Sequence, residues 1–211
     1  MIKENALKYL GYPDSTVDSK IEVLLDQCIE EIQTMSTPKF VYKKFTLEHT
    51  PLSIKELQIE LPYQELLDLF DSCHSCLIIG CTLGQEVDRH LKYLSKIDMT
   101  KMTIFDAVAS SYIEYACDNY EETLQLGERT FRFCPGYGEV PITLNKVFAR
   151  ALDMAKFIGL TVQESNILLP QKSMIGIIGI GDTKYKKHCF SCIKKQDCPF
   201  RKRGQRCYKT T

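Results

Sequence analysis

The sequence predicts an α+β fold for most of this 211-residue chain, with a separate basic tail at its end. Three observations predict it. Helical and strand patterns are mixed without the regular βαβ rhythm of a doubly wound sheet. The composition, 44% hydrophobic and 26% charged with 11 Gly and 8 Pro, is that of a globular protein able to bury one sizeable core. The net charge of zero hides a division. Residues 182–211 carry ten Lys or Arg against two Asp, and the remainder carries 17 basic against 25 acidic side chains. An acidic body, residues 1–181, and a basic tail, residues 182–211, are the expected domains.

The elements follow in order. Residues 3–10 predict a short helix that stops at Gly11. Residues 16–36 predict a longer one, because Ile21, Leu24, Leu25, Cys28, Ile29, Ile32 and Met35 recur at spacings of three and four. Asp14 or Ser15 is placed to cap it, and Pro38 forbids its continuation. Residues 40–47 alternate as a strand, with 57–61 as its expected neighbour. Pro62 opens a helix that runs through Phe70. The apolar run at residues 76–81 predicts a buried strand. Helices over 84–96 and 103–125 follow, the second with Ile104, Val108, Tyr112, Tyr115 and Ala116 on one side. Residues 127–141 are loop, rich in turn chemistry at Pro135-Gly136-Tyr137-Gly138. A helix over 144–158 ends at Gly159, and residues 160–168 and 174–180 predict strands on either side of Pro170.

Several classes are excluded or weakened. No apolar run approaches the roughly 20 residues that a bilayer-spanning helix needs. The start, Met1-Ile2-Lys3-Glu4-Asn5, lacks an apolar signal core, so a cytoplasmic setting is expected. In that setting ten cysteines are buried thiols and metal ligands rather than disulfides. Gly176, Gly179 and Gly181 do not form a dinucleotide loop, since they lie in an extended apolar segment with no helix after it. Cys73-His74-Ser75-Cys76 precedes a buried strand and lacks a second ligand pair, which favours core thiols. His49 and His90 lie on polar stretches and suggest no role.

The strongest spacing signal lies in the tail, where Cys189, Cys192, Cys198 and Cys207 fall within one short segment. Four thiolates so close together can surround one soft metal centre, and a tail with so few apolar residues needs a metal to fold. Zinc suits any tetrahedral four-thiolate site. A [4Fe–4S] cluster suits four cysteines in a loop-rich segment, and the CxxC-x5-C spacing resembles that of auxiliary cluster-binding segments. The cluster is therefore preferred, with zinc as the alternative and His188 as a possible substitute ligand.

The second segment is Arg132-Phe133-Cys134-Pro135-Gly136-Tyr137, which sets a planar bidentate cation, a turn and an aromatic hydroxyl close together. Such a set can hold a carboxylate and stack on a purine, or it can be a tight turn whose Arg caps a helix. Arg132-x3-Gly136-Tyr137 resembles the RxxxGY motif of the activation domain of cobalamin-dependent methionine synthase. The helix carrying Asp106-Ala107, Ala109 and Ile113-Glu114 is similar to that family's helix with an acidic contact. Ile158-Gly159-Leu160-Thr161 with Glu164-Ser165, then Pro170-Gln171-Lys172-Ser173 with Gly176, resemble its "IGxxLTES" and "PxxS" stretches. Thr82-Leu83-Gly84 resembles its smaller stand-alone relatives, and the likeness spans about residues 1–181. Where the long enzymes carry an aromatic pair after the glycine, this chain has Ile177-Ile178.

The resemblance implies a methionine synthase activation domain-like fold, with a mixed or antiparallel sheet packed with helices. It implies S-adenosylmethionine as ligand, with Glu114, Arg132, Cys134, Gly136, Tyr137, Ser173 and Gly176 as its binding residues. A guanidinium for the ligand carboxylate, a carboxylate for its ammonium and an aromatic wall for its adenine are the natural complement, and Arg132, Glu114 and Tyr137 supply one each. The implied role is reductive remethylation: one electron and the methyl group of S-adenosylmethionine restore cob(II)alamin to methylcobalamin. The cobalamin is carried by a partner, a corrinoid protein or a methionine synthase lacking this domain, and a flavodoxin or ferredoxin supplies the electron. The chain would then be an accessory or subunit of a methyltransferase, needing no general base of its own.

Two rival readings belong to other classes. One is a non-catalytic, zinc-stapled docking or scaffold subunit of a corrinoid methyltransferase. The other is nucleic-acid binding through the basic tail. Few aromatics there (Phe190, Phe200, Tyr208) and an acidic body argue against the latter.

Overall fold

The computed structural model describes residues 1–12, 17–181, 199–202 and 204. The elements run α1 (Ile2–Tyr9), α2 (Ser19–Met35), β1 (Lys39–His49), β2 (Leu52–Ile54), a 3-10 turn (Lys55–Leu57), β3 (Ile59–Glu60), α3 (Gln64–Phe70) and β4 (Cys73–Thr82). Then come α4 (Gln85–Ile97), α5 (Met99–Thr123), α6 (Leu144–Ala151), α7 (Met154–Ile158), β5 (Thr161–Val162), β6 (Leu168–Leu169), β7 (Ser173–Gly181) and α8 (Pro199–Lys202). Five strands form one sheet in the order β3-β2-β1-β4-β7, and β5 and β6 form a separate pair. This is the α+β class that the irregular mixing of patterns predicts. No described helix is long and apolar enough to cross a membrane.

The chain divides into two compact units built from interleaved segments. The first comprises Met1–Tyr42, Ile79–Leu126 and Asn145–Ile175. Its organising element is α5, against which α1, α2 and α4 pack. Asp98 caps α5 by accepting the Lys101 N–H at 2.9 Å, and Asp18 caps α2 by accepting the Lys20 N–H at 2.9 Å. The cap of α2 is therefore Asp18; Asp14 and Ser15 lie outside the described residues. The expected single apolar side of α5 is corrected. Phe105, Ala107, Ala109, Ser111, Ile113 and Cys117 are buried along with Ile104 and Val108, whereas Tyr112, Tyr115 and Ala116 are only half-buried. A helix with partners on several sides buries most of its circumference, so no single stripe marks it.

Two further expectations in this unit are corrected. The helix over 144–158 is broken into α6 and α7 by Asp153, whose φ of 47° is left-handed. Apolar spacing survives the break because Met154 is directed inward, over the α-carbon of Gly80 in β4. Residues 160–168 do not form one strand. Gln163 N–H donates to the Ile167 carbonyl at 2.9 Å, Asn166 turns the chain at φ 67°, and the flanks pair as β5 and β6. The polar run Glu164-Ser165-Asn166 is the turn signal that the apolar flanks obscured.

The second unit comprises Lys43–Ile78, Gly127–Leu144 and Gly176–Thr211. Phe45 and Leu47 of β1, Leu66, Leu69 and Phe70 of α3, Leu77 and Ile78 of β4, and Ile177, Ile178 and Ile180 of β7 are buried. β1 pairs antiparallel with β2, and β2 in turn with β3. The expected pairing of residues 57–61 with β1 is thus corrected: β2, three residues long, comes between. Glu56 reinforces the corner by accepting the Thr46 N–H at 2.9 Å and its hydroxyl at 2.8 Å, and the bond from the Thr46 amide holds the Glu56 carboxyl below its ordinary value.

Candidate functional site

The loop after α5 is fastened along β7. Phe133 and Ile177 exchange backbone hydrogen bonds of 2.9 and 2.8 Å, Thr130 N–H donates to the Gly179 carbonyl at 2.9 Å, and Gly181 N–H to the Glu128 carbonyl at 3.2 Å. The buried Thr130 adds its side chain, whose Oγ1 accepts the Gly179 N–H at 2.9 Å. What the sequence presents as loop is therefore an irregular extended segment bridged to β7 at Arg129–Ile180 and Phe133–Ile177.

This fastening sets Arg132 over Gly176. A Cβ at position 176 would stand 2.7 Å from Arg132 Cδ and 3.3 Å from the Phe133 carbonyl oxygen, so only a residue without a side chain admits the arginine stem. The two other glycines of β7 make room in the same way. Gly179 accommodates the Phe70 ring and Cys73 Sγ, and Gly181 the backbone of Ser72 and Cys73. The glycine spacing in β7 serves packing.

Beyond Arg132 the chain turns sharply. Pro135 is buried, Gly136 takes a φ of 93°, and its N–H donates to the Val140 carbonyl at 2.9 Å. A φ in that region favours glycine strongly. Tyr137 at the tip is 62% exposed, and Cys134 is half-buried. Arg132, Cys134, Gly136, Tyr137 and Gly176, five of the expected ligand-binding residues, thus belong to one unit, and the structure brings them onto one loop and the strand beneath it.

The other two, Glu114 and Ser173, belong to the first unit. Ser173 opens β7 and donates its hydroxyl to Thr82 Oγ1 at 2.7 Å; the same oxygen accepts the Gly84 N–H at 3.1 Å. Leu83 N–H donates to the Lys172 carbonyl at 2.9 Å, which locks the end of β4 to the start of β7. Glu114 lies half-buried on α5, on the face that carries Asp106 and Ser110 at four-residue steps. Lys172, in the Pro170–Ser173 stretch, takes up the first two. Its Nζ lies 2.8 Å from Asp106 Oδ1 and donates to Ser110 Oγ at 2.8 Å. Lys172 and Thr130 are the residues that sequence reasoning missed, and no local pattern marks either, since both partners come from distant segments.

The remaining candidates resolve simply. Cys73 and Cys76 are buried core thiols, and burial pushes the Cys76 thiol up to about 12. His49 Nε2 lies 2.6 Å from the Cys73 carbonyl oxygen, and His90 packs edge-on to Phe105. Among the described residues no three His, Cys, Asp or Glu side chains come together to hold a metal. Cys189, Cys192, Cys198, Cys207 and His188 lie outside the described residues.

The fold is an α+β, activation-domain-like one, with an antiparallel sheet packed with helices. Among solved structures the chain is similar to the crystal structure of the MetH reactivation domain bound to AdoHcy. The TM-score is 0.55 and the identity 16%, over 82% of this chain and 69% of that one. At that identity the likeness is one of fold. No family description matches the sequence, and no curated protein does.

Proposed function

We propose that this chain binds S-adenosylmethionine and uses it to return cob(II)alamin to methylcobalamin on a separate corrinoid protein such as a methionine synthase. The observation that supports the reading most is the passage of Arg132 over Gly176, because two residues assigned to the ligand on separate stretches of sequence form one feature. Arg132 is the bidentate partner for the ligand carboxylate, and Tyr137 offers an exposed aromatic face for the adenine. The left-handed Gly136 permits close approach to the loop backbone. Cys134 adds a polar group on the same loop; Glu114, for the ammonium, and Ser173 are assigned to the ligand on the sequence resemblance alone. The chemistry belongs to the corrinoid and the sulfonium; the role of this chain is to hold the methyl donor.

The test is direct. A corrinoid methyltransferase poised in the cob(II)alamin state is mixed with S-adenosylmethionine and a chemical one-electron reductant, and the visible spectrum is followed. Adding this protein is expected to bring up the methylcobalamin spectrum, and a rate no greater than that without it contradicts the proposal. The reading extends to the tail, where Cys189, Cys192, Cys198 and Cys207 would hold a [4Fe–4S] cluster or zinc and a flavodoxin or ferredoxin would deliver the electron. Brown absorbance of anaerobically purified protein distinguishes the cluster from colourless zinc.

A further inference from the structure

We infer that Glu65 is a positioning residue for the ligand-binding turn: it holds the backbone at Gly138 and Glu139 so that Gly136 and Tyr137 are presented in one fixed form. The inference rests on the reading of that turn as part of the S-adenosylmethionine site.

The geometry is specific. Glu65 lies in the first turn of α3, a helix anchored by the buried Leu66, Leu69 and Phe70. Its Oε1 accepts the Glu139 N–H at 3.1 Å. The same carboxylate fills the space that a side chain at Gly138 would need, with Cδ 2.7 Å from the Cβ position, and Gly138 itself is left-handed at φ 58°. Oε2 is sealed from solvent and has no hydrogen-bond partner among the described residues.

The turn needs such an anchor. Residues 136–139 are all exposed, and two of them are glycine. Of the backbone bonds that close the turn from within, Gly136 N–H to the Val140 carbonyl is 2.9 Å and Val140 N–H to the Tyr137 carbonyl 3.2 Å, whereas Tyr137 N–H to the Cys134 carbonyl, at the tip, is 3.4 Å and long. A turn with two glycines loses much conformational entropy when ordered. A charge-assisted bond from a packed helix supplies an external constraint, and a binding group supported by such a neighbour is preorganised for its ligand.

The test measures S-adenosylmethionine affinity by calorimetry, together with deuterium exchange at the Glu139 amide. Glu65→Ala is expected to weaken binding about tenfold and to speed exchange at Glu139, while the rest of the unit keeps its protection. Glu65→Gln keeps an acceptor for the amide and is expected to bind within about threefold of the parent. If Glu65 acts through the turn, Glu65→Ala combined with Tyr137→Ala costs no more than about twofold beyond Tyr137→Ala alone. Parent-like binding by Glu65→Ala, or a full additive loss in the double variant, overturns the inference. Should Glu65→Ala fail to fold, Gly138→Ala drives a Cβ into the carboxylate and is expected to weaken binding as much; parent-like affinity in that variant overturns it equally. A parent protein that does not bind S-adenosylmethionine overturns the proposed function and the ligand half of this inference. Unchanged Glu139 exchange overturns the other half.

Discussion

Arg132 lies across the α-carbon of Gly176, so closely that a Cβ at 176 would stand 2.7 Å from Arg132 Cδ. This contact joins the loop after α5 to β7, and the backbone exchange between Phe133 and Ile177 keeps it in register.

Gly176→Ala therefore has two expected effects. The added methyl forces Arg132 aside and presses on the Phe133 carbonyl, which costs about 1–3 kcal/mol as overpacking. It also moves the guanidinium, so affinity for S-adenosylmethionine should fall while most of the fold survives. Chemical denaturation and calorimetry on the same variant check both. A loss of stability without a change in affinity would separate Gly176 from the site.

The Lys172–Asp106 pair predicts an order of effects. The Lys172 side chain is 12% exposed and that of Asp106 50%. Asp106→Asn leaves a mostly buried ammonium without its counter-charge and should cost about 2 kcal/mol. Lys172→Met keeps the packed stem and leaves a carboxylate that water can reach, so about 1 kcal/mol or less is expected. Thermal unfolding of the two variants tests the order, and the reverse order contradicts it.

Buried thiols make the protein sensitive to alkali. Burial raises the Cys28 thiol from 9.0 to about 11 and the Cys76 thiol from 9.0 to about 12. The folded state thus holds these protons more tightly than the unfolded chain. Their contribution to stability is complete below pH 9 and is lost as pH rises through the folded values. Urea denaturation between pH 7.5 and pH 10.5 should show a shallower decline for Cys76→Ala than for the parent, even though the variant is weaker at neutral pH. Parallel declines would remove Cys76 from this role.

Much of this architecture is written in local pattern. The helix period marks α2, the continuous apolar run marks β4, and the extended apolar segment after Pro170 marks β7 as strand. What escapes is set by partners remote in sequence. β2 is too short to carry an alternation, and α5 shows no single stripe because helices pack on several sides of it. Asp153, left-handed at φ 47°, breaks the 144–158 helix at a residue with no local breaker signal. At the site, Arg132 and Gly176 are legible as separate motif residues, but their crossing depends on the bridge between the loop and β7. Lys172 and Glu65 act on segments that the sequence sets far from them, at Asp106 and Glu139.

The most direct measurement is calorimetric titration of S-adenosylmethionine into the parent protein and into Arg132→Ala. The account predicts saturable binding by the parent and a loss of about 2–4 kcal/mol in the variant, because the ligand carboxylate loses its charged partner. Tyr137→Phe, which keeps the ring, should lose less. A parent that does not bind, or an Arg132→Ala variant that binds as tightly as the parent, would contradict the account.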